Sequence, residues 1–233
     1  MDRLTRKDLK TDKFAREVGH SVEYVSEHRQ QFTRIAGIAL AAVALAVAVY
    51  AFVQYRKGVR QDELRAALRI QEAAVGQPGG EGLLSYPTQD EKNKAMVKAF
   101  TDFVNKYDGT DEAAVAHYYL AATAADAGNL GEAEKQFRAV ADSGNKNYAS
   151  LAKLSLANIY QAQGKQSEGE NLLRGLVDKP TAFVSKEQAT IALARYLAGK
   201  NPAEARKMLE PLRTERGPVS RTALAALSEI PQK

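Results

Sequence analysis

Residues 35–55 run for 21 consecutive positions without a charged side chain, and no other feature limits the fold so strongly. As a helix this stretch extends about 31 Å, at about 1.5 Å per residue, which matches the hydrocarbon thickness of a bilayer. Nine of its residues are Ile, Leu, Val or Phe and eight are Ala. At roughly 0.3 to 0.6 kcal/mol for each large apolar side chain, insertion is favoured by roughly 3 to 5 kcal/mol. Small and large apolar residues alternate over residues 42–49. A lone strand would nevertheless leave its backbone unpaired in lipid, so a helix is the form able to span. Arg34 precedes the stretch, Arg56 and Lys57 follow it, and Phe32, Tyr50, Phe52 and Tyr55 crowd its ends. Charged and aromatic side chains gather at membrane interfaces in this way, which makes Arg34, Tyr55, Arg56 and Lys57 the expected boundary residues.

A cleaved leader offers a second reading, since Ala44, Ala46 and Ala48 form A-x-A patterns. Its charged region would be 34 residues long and its apolar core longer than leaders carry, which favours an uncleaved anchor. Basic residues lie on both flanks: Arg16, Arg29 and Arg34 before the stretch, and Arg56, Lys57, Arg60, Arg65 and Arg69 after it. Charge counting alone therefore leaves the orientation open. In the N-terminal segment Phe14, Val18, Val22, Val25 and Phe32 fall at helical spacings, which predicts an amphipathic helix leading into the span. His20 and His28 are eight residues apart, two turns along such a helix, so they read as surface residues and not as a metal pair.

Beyond the span, Leu64, Ala67, Leu68, Ile70 and Ala74 sit among charges, which predicts that the helix continues to about residue 75. The glycines of residues 76–82 and Pro87 then mark a connector. From about residue 111 a period of 36 residues emerges. Leu120-Ala121 returns as Leu156-Ala157, Gly128 as Gly164, Phe137 as Leu173 and Leu209, and Ala133 as Gly169 and Ala205. Two helices per unit fit that length. The pattern predicts helices at 90–106, 111–127, 131–142, 147–163, 166–178, 185–198, 202–213 and 218–229, with Pro202 and Pro218 in first turns where a missing N–H costs nothing. Abundant Ala, no Trp and only 7 Pro agree with an all-α chain.

These repeated positions resemble the tetratricopeptide repeat: a large-then-small pair on the first helix, a turn glycine, then a small and a large apolar residue on the second. The third unit departs from the pattern, because Gly199 comes one residue early, and no unit carries the usual Trp, His117 and Lys153 standing in its place. The resemblance implies an α-solenoid of helical hairpins whose groove takes protein segments. Transferred to this sequence, groove positions are Tyr118, Tyr119 and Asp126 in the first unit and Asn158 and Gln161 in the second. The expected division is 1–34 as a cytoplasmic amphipathic segment, 35–55 as the transmembrane helix, 56–89 as the membrane-proximal helix and connector, and 90–233 as the repeat domain.

Little points to chemistry. The chain has no Cys and 3 His, which removes thiolate catalysis, disulfides and cysteine metal sites, and no hydrolase, zinc-protease or phosphate-loop motif occurs. Pairs such as Glu132 with Glu134, or Glu168 with Glu170, point about 200° apart on a helix and read as solvated faces. No enzyme, cofactor or metal is expected. The net charge of +5 is spread through the chain and gives no nucleic-acid footprint.

The whole arrangement, with residues 61–67 (Gln-Asp-Glu-Leu-Arg-Ala-Ala) and 148–157 (Tyr-Ala-Ser-Leu-Ala-Lys-Leu-Ser-Leu-Ala), resembles the bacterial YfgM-like proteins, ancillary to the Sec translocon. That resemblance implies an inner-membrane protein with a cytoplasmic N-terminus and a periplasmic repeat domain. Its partners would be the translocon, periplasmic chaperones or exported chains, besides membrane lipid. The alternative is a fixed accessory or assembly subunit of a larger membrane complex, suggested by Gly37 and Ala41 at small-xxx-small spacing.

Overall fold

The computed structural model describes residues 29–76, 84–215 and 217–231. The amphipathic stripe expected over residues 14–25, with His20 and His28, and most of the glycine-rich connector lie outside them. Among the described residues the order is α1 (Arg29–Glu72), β1 (Ala74–Val75), β2 (Ser85–Tyr86), α2 (Gln89–Tyr107), α3 (Asp111–Asp126), α4 (Leu130–Ala141), α5 (Lys146–Ala162), α6 (Gln166–Asp178), α7 (Lys186–Leu197), α8 (Pro202–Arg213) and α9 (Pro218–Glu229). The chain divides into two compact units, residues 1–59 and 60–233.

The first unit holds the apolar part of α1, and its described side chains are all exposed, Ile38 and Leu40 by 70% and 71%. No protein surface covers them, so this helix presents more continuous apolar area than a water-facing helix tolerates. It is the one helix among the described residues that is long and apolar enough to cross a membrane. Arg34, Tyr55, Arg56 and Lys57 are exposed along it, and the Arg56 guanidinium lies 5.9 Å from the centre of the Phe52 ring.

In the second unit the last turns of α1 bury Leu64 and Ala67 in a cluster with Met96, Phe100, Phe103 and Tyr107 of α2 and Ala113, Val115 and Ala116 of α3. The three-residue spacing of Leu64 and Ala67 puts both on one helix face, and that face is the buried one. Polar ties flank it: Arg60 Nε donates to the Glu112 carboxylate at 3.2 Å, and Lys106 pairs with Glu63 at 2.7 Å. The helix stops at Glu72, short of the expected residue 75, because Ala74 and Val75 pair in parallel with Ser85 and Tyr86. Ala74 N donates to Leu84 O and Gly76 N to Tyr86 O, while the Lys92 ammonium donates to Ala73 O at 2.7 Å. This pairing involves two residues on each side, so hydropathy carried no trace of it.

From α2 onward every helix matches the sequence-based placement to within one residue at either end. The start signals are local. Thr88, Thr110, Asn129, Asn145, Ser185 and Asn201 each accept a hydrogen bond from the backbone N–H three residues on, satisfying one of the donors a helix start leaves free. Gly128 and Gly164 close the first helix of each hairpin at φ 76° and 75°, a conformation that glycine adopts without strain. Gly199 does not share it, and the third turn is made instead through Asn201, whose side chain caps α8.

Stacking of the hairpins forms two further clusters. One joins Ala121, Phe137, Ala152, Leu156, Ile159 and Tyr160. The other joins Leu173, Leu193, Leu197, Leu209, Ala223 and Ile230, so α9 closes the array by covering the apolar sides of α7 and α8. The fold is all-α in architecture: a long apolar N-terminal helix and a stack of helical hairpins.

Candidate functional site

Helices α3 and α5 are the first helices of consecutive hairpins. Between them, with α4 behind, lies a cavity of about 350 Å³ lined by Tyr118, Asp126, Phe137, Ser155, Asn158 and Ile159 among others. Three of the five sequence-derived groove residues, Tyr118, Asp126 and Asn158, therefore converge on one cavity. The helical spacing explains the pairing on α3, since Tyr118 and Asp126 are eight residues apart and share a face. Gln161 is exposed further along α5 and is not part of this lining. Tyr119 turns the other way and stacks on Phe100 of α2, with ring centres 5.3 Å apart and planes at 6°.

The wall of the cavity is aromatic and rigid. Tyr118 meets Phe137 and Tyr148 edge-on, each at 5.5 Å, and Tyr148 in turn meets Phe183 at 5.5 Å. Such contacts fix ring orientation and add about 0.5 to 1.5 kcal/mol per pair beyond simple burial. Burial, and then the neighbouring Tyr119 phenol, push the Tyr148 hydroxyl above its usual range, so it stays neutral and acts as a hydrogen-bonding group. Sequence reasoning missed Tyr148 and Phe183, which continue the ring packing behind Tyr118, because ring contacts between separate hairpins depend on how the hairpins stack.

On the side of α3 facing α2 a second cavity of about 570 Å³ is lined by Met96, Val97, Thr101, Thr123 and again Asp126. Two lysines on its edge are engaged, Lys94 by Asp90 at 2.7 Å and Lys98 by Asp102 at 2.9 Å.

Two carboxylates expected on solvated faces are instead partly buried junctions between repeats. Glu134 on α4 pairs with Arg138 at 2.8 Å and Lys165 at 3.3 Å, and accepts from the Gln163 amide at 2.9 Å. One repeat later Glu170 pairs with Arg174 at 2.9 Å and Lys200 at 3.3 Å. The Gln163 hydrogen bond holds the Glu134 carboxyl below the usual range, and the Arg174 guanidinium does the same for Glu170. The rotation argument holds within one helix, but it does not consider the turn of the next hairpin, which supplies the lysines. His117 is a half-buried packing residue, hydrogen-bonded through Nδ1 to the Gln136 amide oxygen. Among the described residues no group of His, Cys, Asp and Glu has the arrangement of a metal site.

A family model for the tetratricopeptide repeat-like domain matches residues 33–207. The chain belongs to this family. The match begins ahead of the apolar stretch, so the family pattern takes in α1 as well as the hairpins. Tetratricopeptide-like domains are generally protein–protein interaction modules and are typically non-enzymatic. Two solved structures share the fold, both of nearly identical TPR-like repeats from a Podosopora anserina protein designated a kinesin light chain. One superposes with TM-score 0.53 at 18% identity, and a single-substitution variant of it with TM-score 0.54 at 17% identity, each covering 73% of this chain and 84% of the other. At such identity the likeness concerns the fold alone. A search of curated proteins gives no match.

Proposed function

We propose that the chain is a membrane-anchored binding module whose tetratricopeptide-like groove takes segments of other proteins close to a bilayer. The observation that carries this reading is the convergence of Tyr118, Asp126 and Asn158 on one aromatic-walled cavity, in a chain that also exposes a 21-residue apolar helix stretch. A pocket with a rigid ring wall and a few polar groups suits an extended segment, which gains affinity from side chains seated in fixed places. In this reading residues 35–55 span the membrane, bounded by Arg34, Tyr55, Arg56 and Lys57. The resemblance to YfgM-like proteins supports a bacterial inner-membrane location, a cytoplasmic N-terminus and a periplasmic repeat domain that meets exported chains, chaperones or the translocon. Gln161 and Tyr119 then serve as a flanking contact and as the support that fixes the α3 face.

The test uses the full chain in its membrane with a photo-crosslinking amino acid at Asn158, and at exposed Lys207 on α8 as the control. Adducts with translocon subunits, a periplasmic chaperone or exported chains from the first position and not from the second are expected. Identical adducts from both, or none from either, count against the groove. Trypsin added to intact spheroplasts should digest the repeat domain, whereas full protection would place it in the cytoplasm.

A further inference from the structure

Resting on that reading, we infer that the groove selects segments in which a lysine or arginine is flanked by apolar side chains, with Asp126 as the residue that recognises the cation. Asp126 is the single charged residue lining the cavity of Tyr118, Phe137 and Ile159, and it also lines the neighbouring cavity of Met96 and Val97. Its carboxylate is exposed and makes no ion pair or side-chain hydrogen bond among the described residues. The cations nearest to it by lining, Lys94 and Lys98, are already taken by Asp90 and Asp102. A free carboxylate beside the rings of Tyr118 and Phe137 and the Ile159 side chain on one side, and Met96 and Val97 on the other, is complementary to a cation flanked by apolar side chains.

Local energetics give Asp126 no structural task. It is the last residue of α3, where the helix dipole places partial negative charge and disfavours a carboxylate. The equivalent position one repeat on is Ala162, which lines the same cavity from α5 without a charge. In the cavity of Tyr118 and Phe137, which no Lys or Arg lines, an acidic segment would meet the Asp126 charge directly, so the groove discriminates by repulsion as well as by attraction.

The experiment is fluorescence anisotropy on the full chain in nanodiscs, with three labelled peptide pools whose flanks are randomised among Leu, Phe, Val and Ser. The central residue is Lys, norleucine or Glu. The Lys pool should bind about tenfold more tightly than the Glu pool, with norleucine between them. Asp126→Asn should bring the three pools to within about twofold, and Asp126→Lys should reverse their order. Asn158→Asp, nearly isosteric at an exposed position of the same cavity, should widen the wild-type preference, and circular dichroism checks that each variant is folded. Equal affinity for the three pools, still abolished by Tyr118→Ala, would overturn the charge selection and leave the groove reading intact. Failure of every pool to bind would overturn both.

Discussion

The first repeat, α3 with α4, and the second, α5 with α6, are built to one plan and filled with different chemistry. Positions 36 apart in the turn and on the second helix are kept in kind: Gly128 and Gly164, Phe137 and Leu173, Glu134 and Glu170, Arg138 and Arg174. Positions on the first helix are not, since Tyr118, Tyr119 and Asp126 are followed by Leu154, Ser155 and Ala162. Stacking restricts the first set, because each hairpin buries its apolar face only against its neighbour. The second set is not held to one kind, and in the proposed reading its aromatic and acidic character in the first repeat is what a partner meets.

The strongest way to break this comparison is to empty the same position in both repeats. Phe137 and Leu173 are 3% and 1% exposed, and truncation to Ala costs about 3 to 5 kcal/mol for the ring and about 2 to 5 kcal/mol for the leucine. Urea unfolding of the full chain should show both losses. Only Phe137→Ala should also weaken segment capture at Asn158, because Phe137 lines the cavity and supports Tyr118. Equal weakening by Leu173→Ala would show that the two repeats share one binding surface.

A smaller effect comes from the small residue on the second helix. A methyl group added at Gly169 would stand 2.7 Å from Cζ of Tyr196 and closer still to its hydroxyl oxygen, which donates to Gln166 O at 3.1 Å. Gly169→Ala should therefore destabilise by about 1 to 3 kcal/mol through overpacking, although alanine is the better helix former. Tyr196→Phe in the same chain should recover part of the loss. The first repeat already carries Ala133 at this place, fully buried in the cluster that holds Tyr160, so Ala133→Gly should cost about 1 kcal/mol. Opposite tolerance at equivalent positions, read from thermal unfolding, is the expected signature.

The helix starts differ more gently. Asn129 caps α4 by accepting from Glu132 N at 3.3 Å, whereas Lys165 begins α6 with no side-chain cap. Asn129→Ala should lower stability by about 1 kcal/mol. Lys165→Ala should remove its partly exposed bridge to Glu134 and its contact over the Tyr160 ring, and cost less.

The hairpins and their boundaries were legible because their signals are local: an apolar period, a glycine in the turn, and Asn, Thr or Ser at the helix start. Transfer of repeat positions put Tyr118 and Asp126 of α3 and Asn158 of α5 at what proves to be one cavity, because equivalent faces of the first helices of neighbouring hairpins border it. The packing of Tyr148 and Phe183 was not legible, because it arises from stacking over separations that no period records, and the β1–β2 pairing was not, because two residues on each side leave no pattern. The roles of Glu134 and Glu170 were hidden for the same reason, each lysine partner lying about 30 residues further on.

These two carboxylates also give the smallest effect, and one that tests whether both junctions are alike. Each is held below the usual carboxylate range in the folded chain, Glu134 mainly by Gln163 and Glu170 mainly by Arg174. A depressed folded pKa contributes stability that is fully present above the unfolded value of about 4.3 and that is lost as pH falls through the folded value. Because the groups keep some contact with solvent, each junction contributes on the order of 1 kcal/mol or less. Thermal midpoints of the full chain should thus hold steady from neutral pH to about 5 and fall below it. Glu134→Gln and Glu170→Gln should each flatten that fall by a similar amount, and the double variant by the sum, since the junctions share no partner. Unequal flattening would assign the acid sensitivity to one junction and show that the second repeat leans on its neighbour differently from the first.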